Sequence, residues 1–122
     1  MKIKQIPEDF IVEEIMDLRI ELGPYHYYLL TKKNRNTLDI IQEIKKRIGD
    51  VGFAGIKDKR AMTSQYISVK KKISFSLDNV TFTYLGTGKE WIYMGKLTEN
   101  KFTITVRDLE KKLKPVKKIV NY

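Results

Sequence analysis

A short charged string set between two apolar runs constrains the fold of this chain more than any other feature. Val51-Gly52-Phe53-Ala54-Gly55-Ile56 precedes it, Thr63-Ser64-Gln65-Tyr66-Ile67-Ser68-Val69 follows, and Lys57-Asp58-Lys59-Arg60 forms the tip. The pattern reads as strand, polar tip, strand. An acidic side chain at such a tip is rigidly aimed, and Lys57, Lys59 and Arg60 around Asp58 favour its ionised form. A carboxylate held anionic suits a nucleophile. Taken alone, a charged string of this kind is more often a solvated hairpin turn, so charge by itself decides little.

The rest of the chain supplies the elements around that hairpin. Residues 10 to 15 alternate as a strand, with Phe10, Val12 and Glu14 on one face and Ile11, Glu13 and Ile15 on the other. After the turn Leu22-Gly23-Pro24, His26-Tyr27-Tyr28-Leu29-Leu30-Thr31 reads as a buried, aromatic-rich strand. Its tyrosines are either core residues whose hydroxyls reach polar partners or a base-stacking platform, and the first role is the commoner. A helix is expected over Thr37 to Ile48, where Leu38, Ile41, Ile44 and Ile48 mark an apolar face. Asn36 or Thr37 caps it, Asp39 lies in the first turn, Lys45, Lys46 and Arg47 complement the dipole, and Gly49 ends it.

Downstream, Lys70-Lys71-Lys72 is a solvated strand end or a phosphate contact. Val80 to Tyr84 alternates, Gly86-Thr87-Gly88 reads as a turn, Trp91 to Met94 as a short strand, and Phe102 to Val106 alternates again. Leu109, Leu113, Val116 and Ile119 or Val120 have helical spacing over Asp108 to Val120, interrupted by Pro115. These elements predict an α+β domain over residues 1–122, with a mixed, mainly antiparallel sheet and one or two packed helices.

Composition narrows the function. The chain lacks cysteine and has a single histidine, His26, so neither disulfides nor a thiolate or histidine-rich metal site is expected. It shows neither a membrane-spanning run nor a signal-peptide pattern, which predicts a soluble, cytoplasmic protein with no membrane partner. Lys and Arg number 24 against 15 acids, a formal charge of +9. A thermophile's composition explains many charges but not their imbalance of sign, so an acidic partner is the natural inference. Neither a GxxxxGK[ST] nor a GxGxxG loop occurs, which disfavours nucleotide-driven chemistry.

The longer string around the tip is more specific than its charge. Gly55, Lys57, Asp58, Ala61, Thr63 and Gln65 together resemble the G-x-K-D-x-x-A-x-T-x-Q signature of the TruD family of tRNA pseudouridine synthases. Pro7-Glu8-Asp9-Phe10-Ile11-Val12-Glu13-Glu14 is similar to that family's P-E-D-F-x-V-x-E segment, and residues 23 to 37 to the segment that follows it. Gly95-Lys96-Leu97-Thr98-Glu99-Asn100-Lys101-Phe102 and the later Arg107 resemble G-x-L-x-x-N-x-F and its arginine. Asn121-Tyr122 looks like the start of the family's N-Y-F-G-x-Q-R-F-G segment, so the resemblance implies the N-terminal part of a longer catalytic domain.

The resemblance puts the catalytic role on Asp58, with Lys57 as its neighbour and Phe10 in the uridine pocket. Lys59, Arg60 and Asn121 are the further RNA-contacting candidates, while Gly55, Thr63 and Gln65 are expected to support the hairpin. The implied partner is RNA, a tRNA, and the implied reaction, isomerisation of a D-arm uridine, needs neither metal nor cofactor. Two other readings remain open. A truncated relative would be a non-catalytic RNA-binding module, and a sheet with open edges would pair with a second chain.

Overall fold

In the computed structural model, which describes residues 6–105, a 3-10 turn at Pro7–Asp9 leads into β1 (Phe10–Ile15). Then follow β2 (Tyr25–Lys33), helix α1 (Thr37–Ile48), β3 (Val51–Phe53), β4 (Met62–Val69), β5 (Val80–Gly88) and β6 (Glu99–Ile104). The strands make one sheet in the order β5-β2-β4-β1-β6. One edge of β4 is shared: β1 runs parallel along residues 62–64 and β3 antiparallel along 67–69. The position neither strand reaches is filled by a side chain, since Glu14 Oε1 accepts the Tyr66 N–H at 3.1 Å. The other pairings are antiparallel, so the expected α+β class with a mixed, mainly antiparallel sheet is what forms.

Both faces of the sheet are covered. Helix α1 packs Ile40, Ile41 and Ile44 on Tyr28, Leu30, Ile67 and Val69. Because successive strand residues point to opposite faces, Tyr27 lies on the other side, with Ala54 and Ile92. Buried tyrosine hydroxyls need partners: Tyr27 donates to the Glu90 carbonyl at 2.6 Å, and Tyr28 accepts the Ile73 N–H at 2.9 Å. Burial raises the Tyr27 phenol above its usual range.

Helix α1 has the predicted bounds and caps. Asn36 Oδ1 accepts from the Leu38 N–H at 2.9 Å and the Asp39 N–H at 3.4 Å, and Gly49 ends the helix at φ 92°. The buried face differs by one column. Thr37, Ile40, Ile41 and Ile44 are buried while Leu38 is exposed, because residues 37, 40, 41 and 44 share a stripe and Leu38 stands about 100° round from Thr37.

Four strand expectations are corrected. The run from Val51 stops at Phe53 rather than Ile56, because the Ala54 carbonyl is taken by the Gly95 N–H and that of Gly55 by the Gln65 side chain. Gly86-Thr87-Gly88 is not a turn but the end of β5, after a bulge between Tyr84 and Gly86. Gly86 there takes φ 132°, and any side chain on Gly88 would strike the Tyr27 ring. Trp91 to Met94 is not a strand: the segment is tied down by side chains, Ile92 donating its N–H to Ser68 Oγ at 3.0 Å. The last strand is Glu99–Ile104, three residues earlier than its alternation indicated at its start. Arg107, the helix expected over 108–120 and Asn121 lie outside the described residues.

Candidate active site

The loop between β3 and β4 is fixed residue by residue from its buried side. Gln65, buried on β4, donates Nε2 to the Gly55 carbonyl at 2.9 Å. Thr37, the first residue of α1, accepts the Lys57 N–H on Oγ1 at 3.1 Å. Its own hydroxyl proton is directed to the Lys57 carbonyl or to Gln65 Oε1, each at 3.4 Å. Asp58 Oδ1 accepts the Arg60 N–H at 2.8 Å, an Asx turn that closes the tip. Thr37 and Gln65 thus tie down the main chain that leads to Asp58.

Lys57 and Asp58 point in different directions. The Lys57 side chain is 8 % exposed and runs inward to Glu14, whose side chain is 0 % exposed, at 3.1 Å. It also donates to Asn100 Oδ1 on β6 at 2.8 Å. The Lys57 ammonium is therefore a tether between the loop, β1 and β6. Asp58 is exposed and lines a cleft of about 520 Å³ with Ile6, Pro7, Phe10, Asn34, Arg60 and Ala61. Of the candidates from the sequence, Phe10, Asp58 and Arg60 come together in this cleft, while Lys59 is exposed on the tip beside it. The Phe10 ring packs on Phe102 of β6 at 6.1 Å between centroids. Gly55 has open space where a side chain would be, so its contribution is its carbonyl, and Thr63 is fully buried on β4.

Beneath the loop lies a residue that sequence reasoning did not single out. Lys32, at 1 % exposure, donates Nζ to the Asp58 carbonyl at 2.9 Å. Burial pushes its ammonium down to about 8; the Asp58 charge offsets part of that drop and the Lys57 charge adds to it. The strand read from the sequence ended at Thr31; because β2 runs on to Lys33, Lys32 continues the column of Tyr28 and Leu30, where a charge is out of place. Glu14, an acid on the predicted buried face of β1, carried the same kind of signal. Asn100 and Phe102 are the N and F of the G-x-L-x-x-N-x-F likeness, which gave them no role; they enter the site because β6 pairs with β1 through Val12↔Phe102 and Glu14↔Asn100.

The arrangement presents one exposed carboxylate, an aromatic wall and an arginine around a nucleotide-sized cleft. Such a set can hold a planar ring on Phe10, bring a carboxylate to the atoms beside it and contact an anion through Arg60. At the far end of the sheet, Lys70 lies 6.0 Å above the Trp91 ring and Lys72 5.3 Å above Tyr84. The lysine run there is thus engaged with aromatic faces of the chain itself.

Comparison with known proteins bears on the whole span. A family model described as tRNA pseudouridine synthase D (TruD) matches residues 1–122. The chain is 39% identical over 124 residues to a tRNA pseudouridine synthase D of Aquifex aeolicus, covering 91% of this chain and 32% of that protein. It is 44% identical over 119 residues to a Methanocaldococcus jannaschii protein assigned as tRNA pseudouridine synthase D 2, covering 91% and 28%. A crystal structure from Methanosarcina mazei, assigned to the same enzyme, superposes with a TM-score of 0.77 at 32% identity, covering 88% of this chain and 27% of that one. The chain therefore spans about a third or less of the length of these relatives.

Proposed function

Because this chain belongs to the TruD family of tRNA pseudouridine synthases over residues 1–122, we propose that it carries the aspartate-bearing part of a uridine-isomerising site. The reaction breaks the bond from ribose C1′ to uracil N1, turns the detached base and joins C1′ to C5, with the C5 proton lost and N1 protonated. Reactant and product are isomers, so neither oxidant nor energy source is consumed. It requires a carboxylate beside the sugar or base, a wall against which the free ring turns, and a nucleotide extruded from its stack. Asp58 supplies the carboxylate, Phe10 the wall, and Arg60 a phosphate contact at the cleft's edge. The expected substrate is a tRNA, and the expected target uridine 13 of its D-arm.

One observation carries this reading: the Asp58 carboxylate is exposed in the cleft while the main chain that bears it is tied down through Thr37, Gln65 and Lys32. Release of tritium from tRNA labelled at uracil C5 tests it. Asp58→Asn is expected to lower release by at least about 10³-fold, the scale of loss when a nucleophile is removed. Undiminished release in that variant overturns the assignment. The formal charge of +9 and the arginine at the cleft also suit a second reading, an RNA-binding module that does not turn over. That module retains affinity for tRNA in filter binding and releases no tritium.

A further inference from the structure

Among the described residues of this site, Lys32 is a buried charge that packing does not explain. Burying an ammonium is strongly unfavourable unless it is paired and hydrogen-bonded. Lys57 meets that condition through its ion pair with Glu14 at 3.1 Å and its hydrogen bond to Asn100 Oδ1 at 2.8 Å. Among the described residues the Lys32 side chain makes one hydrogen bond, to the Asp58 carbonyl at 2.9 Å, and no ion pair. A neutral donor would serve that carbonyl, and an apolar chain would serve the column of Tyr28 and Leu30. The charge is useful only to something at the loop. The charged groups around it are Asp58 and Lys57 from the loop, Lys33 beside it on β2 and Glu8 from the 3-10 turn across a shared cleft. Lys33 and Glu8 face each other at 3.6 Å, and of the two charged loop residues Lys57 repels Lys32 while Asp58 attracts it.

We propose that Lys32 is the positioning residue of the Asp58 turn: its ammonium holds the Asp58 main chain from beneath, and its charge attracts the carboxylate that the turn presents to the cleft. The kinetic half of this role rests on the pseudouridine synthase reading; the positioning half does not. Burial supports it from a second side, because an ammonium drawn down to about 8 is still charged at neutral pH and sheds its charge just above it.

Two variants separate the hydrogen bond from the charge. Lys32→Met removes both at similar volume, and Lys32→Gln keeps a donor without the charge. Amide hydrogen exchange is read in 54–61, with α1 and residues 66–69 as internal references. In Lys32→Met the 54–61 amides are expected to exchange about tenfold faster or more while the references hold, and Lys32→Gln restores much of the protection. For tritium release, both variants are expected to lose about 10² in kcat with KM for tRNA nearly unchanged, the scale of a misplaced catalytic group. The native rate is expected to fall above about pH 8 along a limb that Lys32→Gln lacks.

Unchanged exchange in 54–61 overturns the positioning role whether or not the protein turns over. Faster exchange with a full native rate overturns the electrostatic role. Faster exchange in Lys32→Met while the unsubstituted protein releases no tritium supports positioning and sinks the isomerase reading instead. Should Lys32→Met lose protection throughout, Lys32→Gln decides alone: a native rate and an intact alkaline limb in that variant overturn the proposal.

Discussion

Glu14 and Lys57 form an ion pair whose two side chains are 0 % and 8 % exposed, in an environment where a lone charge is poorly tolerated. Removing one partner is therefore worse than removing both. Glu14→Gln is expected to lower stability by about 3–5 kcal/mol, and the double variant Glu14→Gln, Lys57→Met to recover much of it, as read from urea midpoints. Lys32 behaves in the opposite sense. Its folded value of about 8 lies below the ordinary 10.5, so the unfolded chain binds more protons between those two values and stability rises with pH across that window. The difference in unfolding free energy between the native protein and Lys32→Met should thus shift in favour of the native protein from pH 8 to about 10.5. The total is on the order of 3 kcal/mol, and a flat difference curve would contradict the burial argument. Parity and charge sign were sufficient to mark Glu14 from sequence, whereas Lys32 lay one residue past the strand as read there, and identifying the partners of both needed the loop and β6 in place.

At the level of elements, α1 was legible because its signals are local, whereas the strand before the Asp58 loop was read three residues too long. Asn36, Asp39, the basic last turn and Gly49 all speak within a few residues of the helix they delimit, and the helix has the bounds they indicate. Asn36→Ala should lower stability by about 1 kcal/mol in chemical denaturation, since two amide protons lose their acceptor. Illegible features were those decided across space. Gly86 and Gly88 read as a turn because glycine marks turns, yet one serves a bulge and the other admits the Tyr27 ring. The segment around Trp91 has strand-like residues and no strand, because Gly52 leaves room for the Ile92 carbonyl and Ser68 Oγ where a side chain would otherwise stand. Gly52→Ala should displace that segment and expose Ile92, seen as a rise in fluorescence sensitivity to acrylamide at Trp91, the chain's one tryptophan.

For the whole molecule, a formal charge of +9 predicts that any association with an acidic polymer is tightened at low salt and falls as salt rises. Arg60→Gln should lower the slope of log affinity against log salt by about 0.7–0.9, the value of one lost phosphate contact. Lys57→Gln should leave that slope unchanged, because its ammonium is committed inward. Class and strand content were readable from alternation, whereas the strand order was not: β1 is placed between β4 and β6, and no short-range pattern specifies that. This placement has a consequence for how the protein is made. Asn100, the acceptor for Lys57, follows it by 43 residues, and β1 must wait for β6 to cover its second edge. On the ribosome the hairpin emerges well before the strand that completes its anchorage, so a nascent chain stalled before β6 would display Asp58 on a turn whose Lys57 tether is only half made.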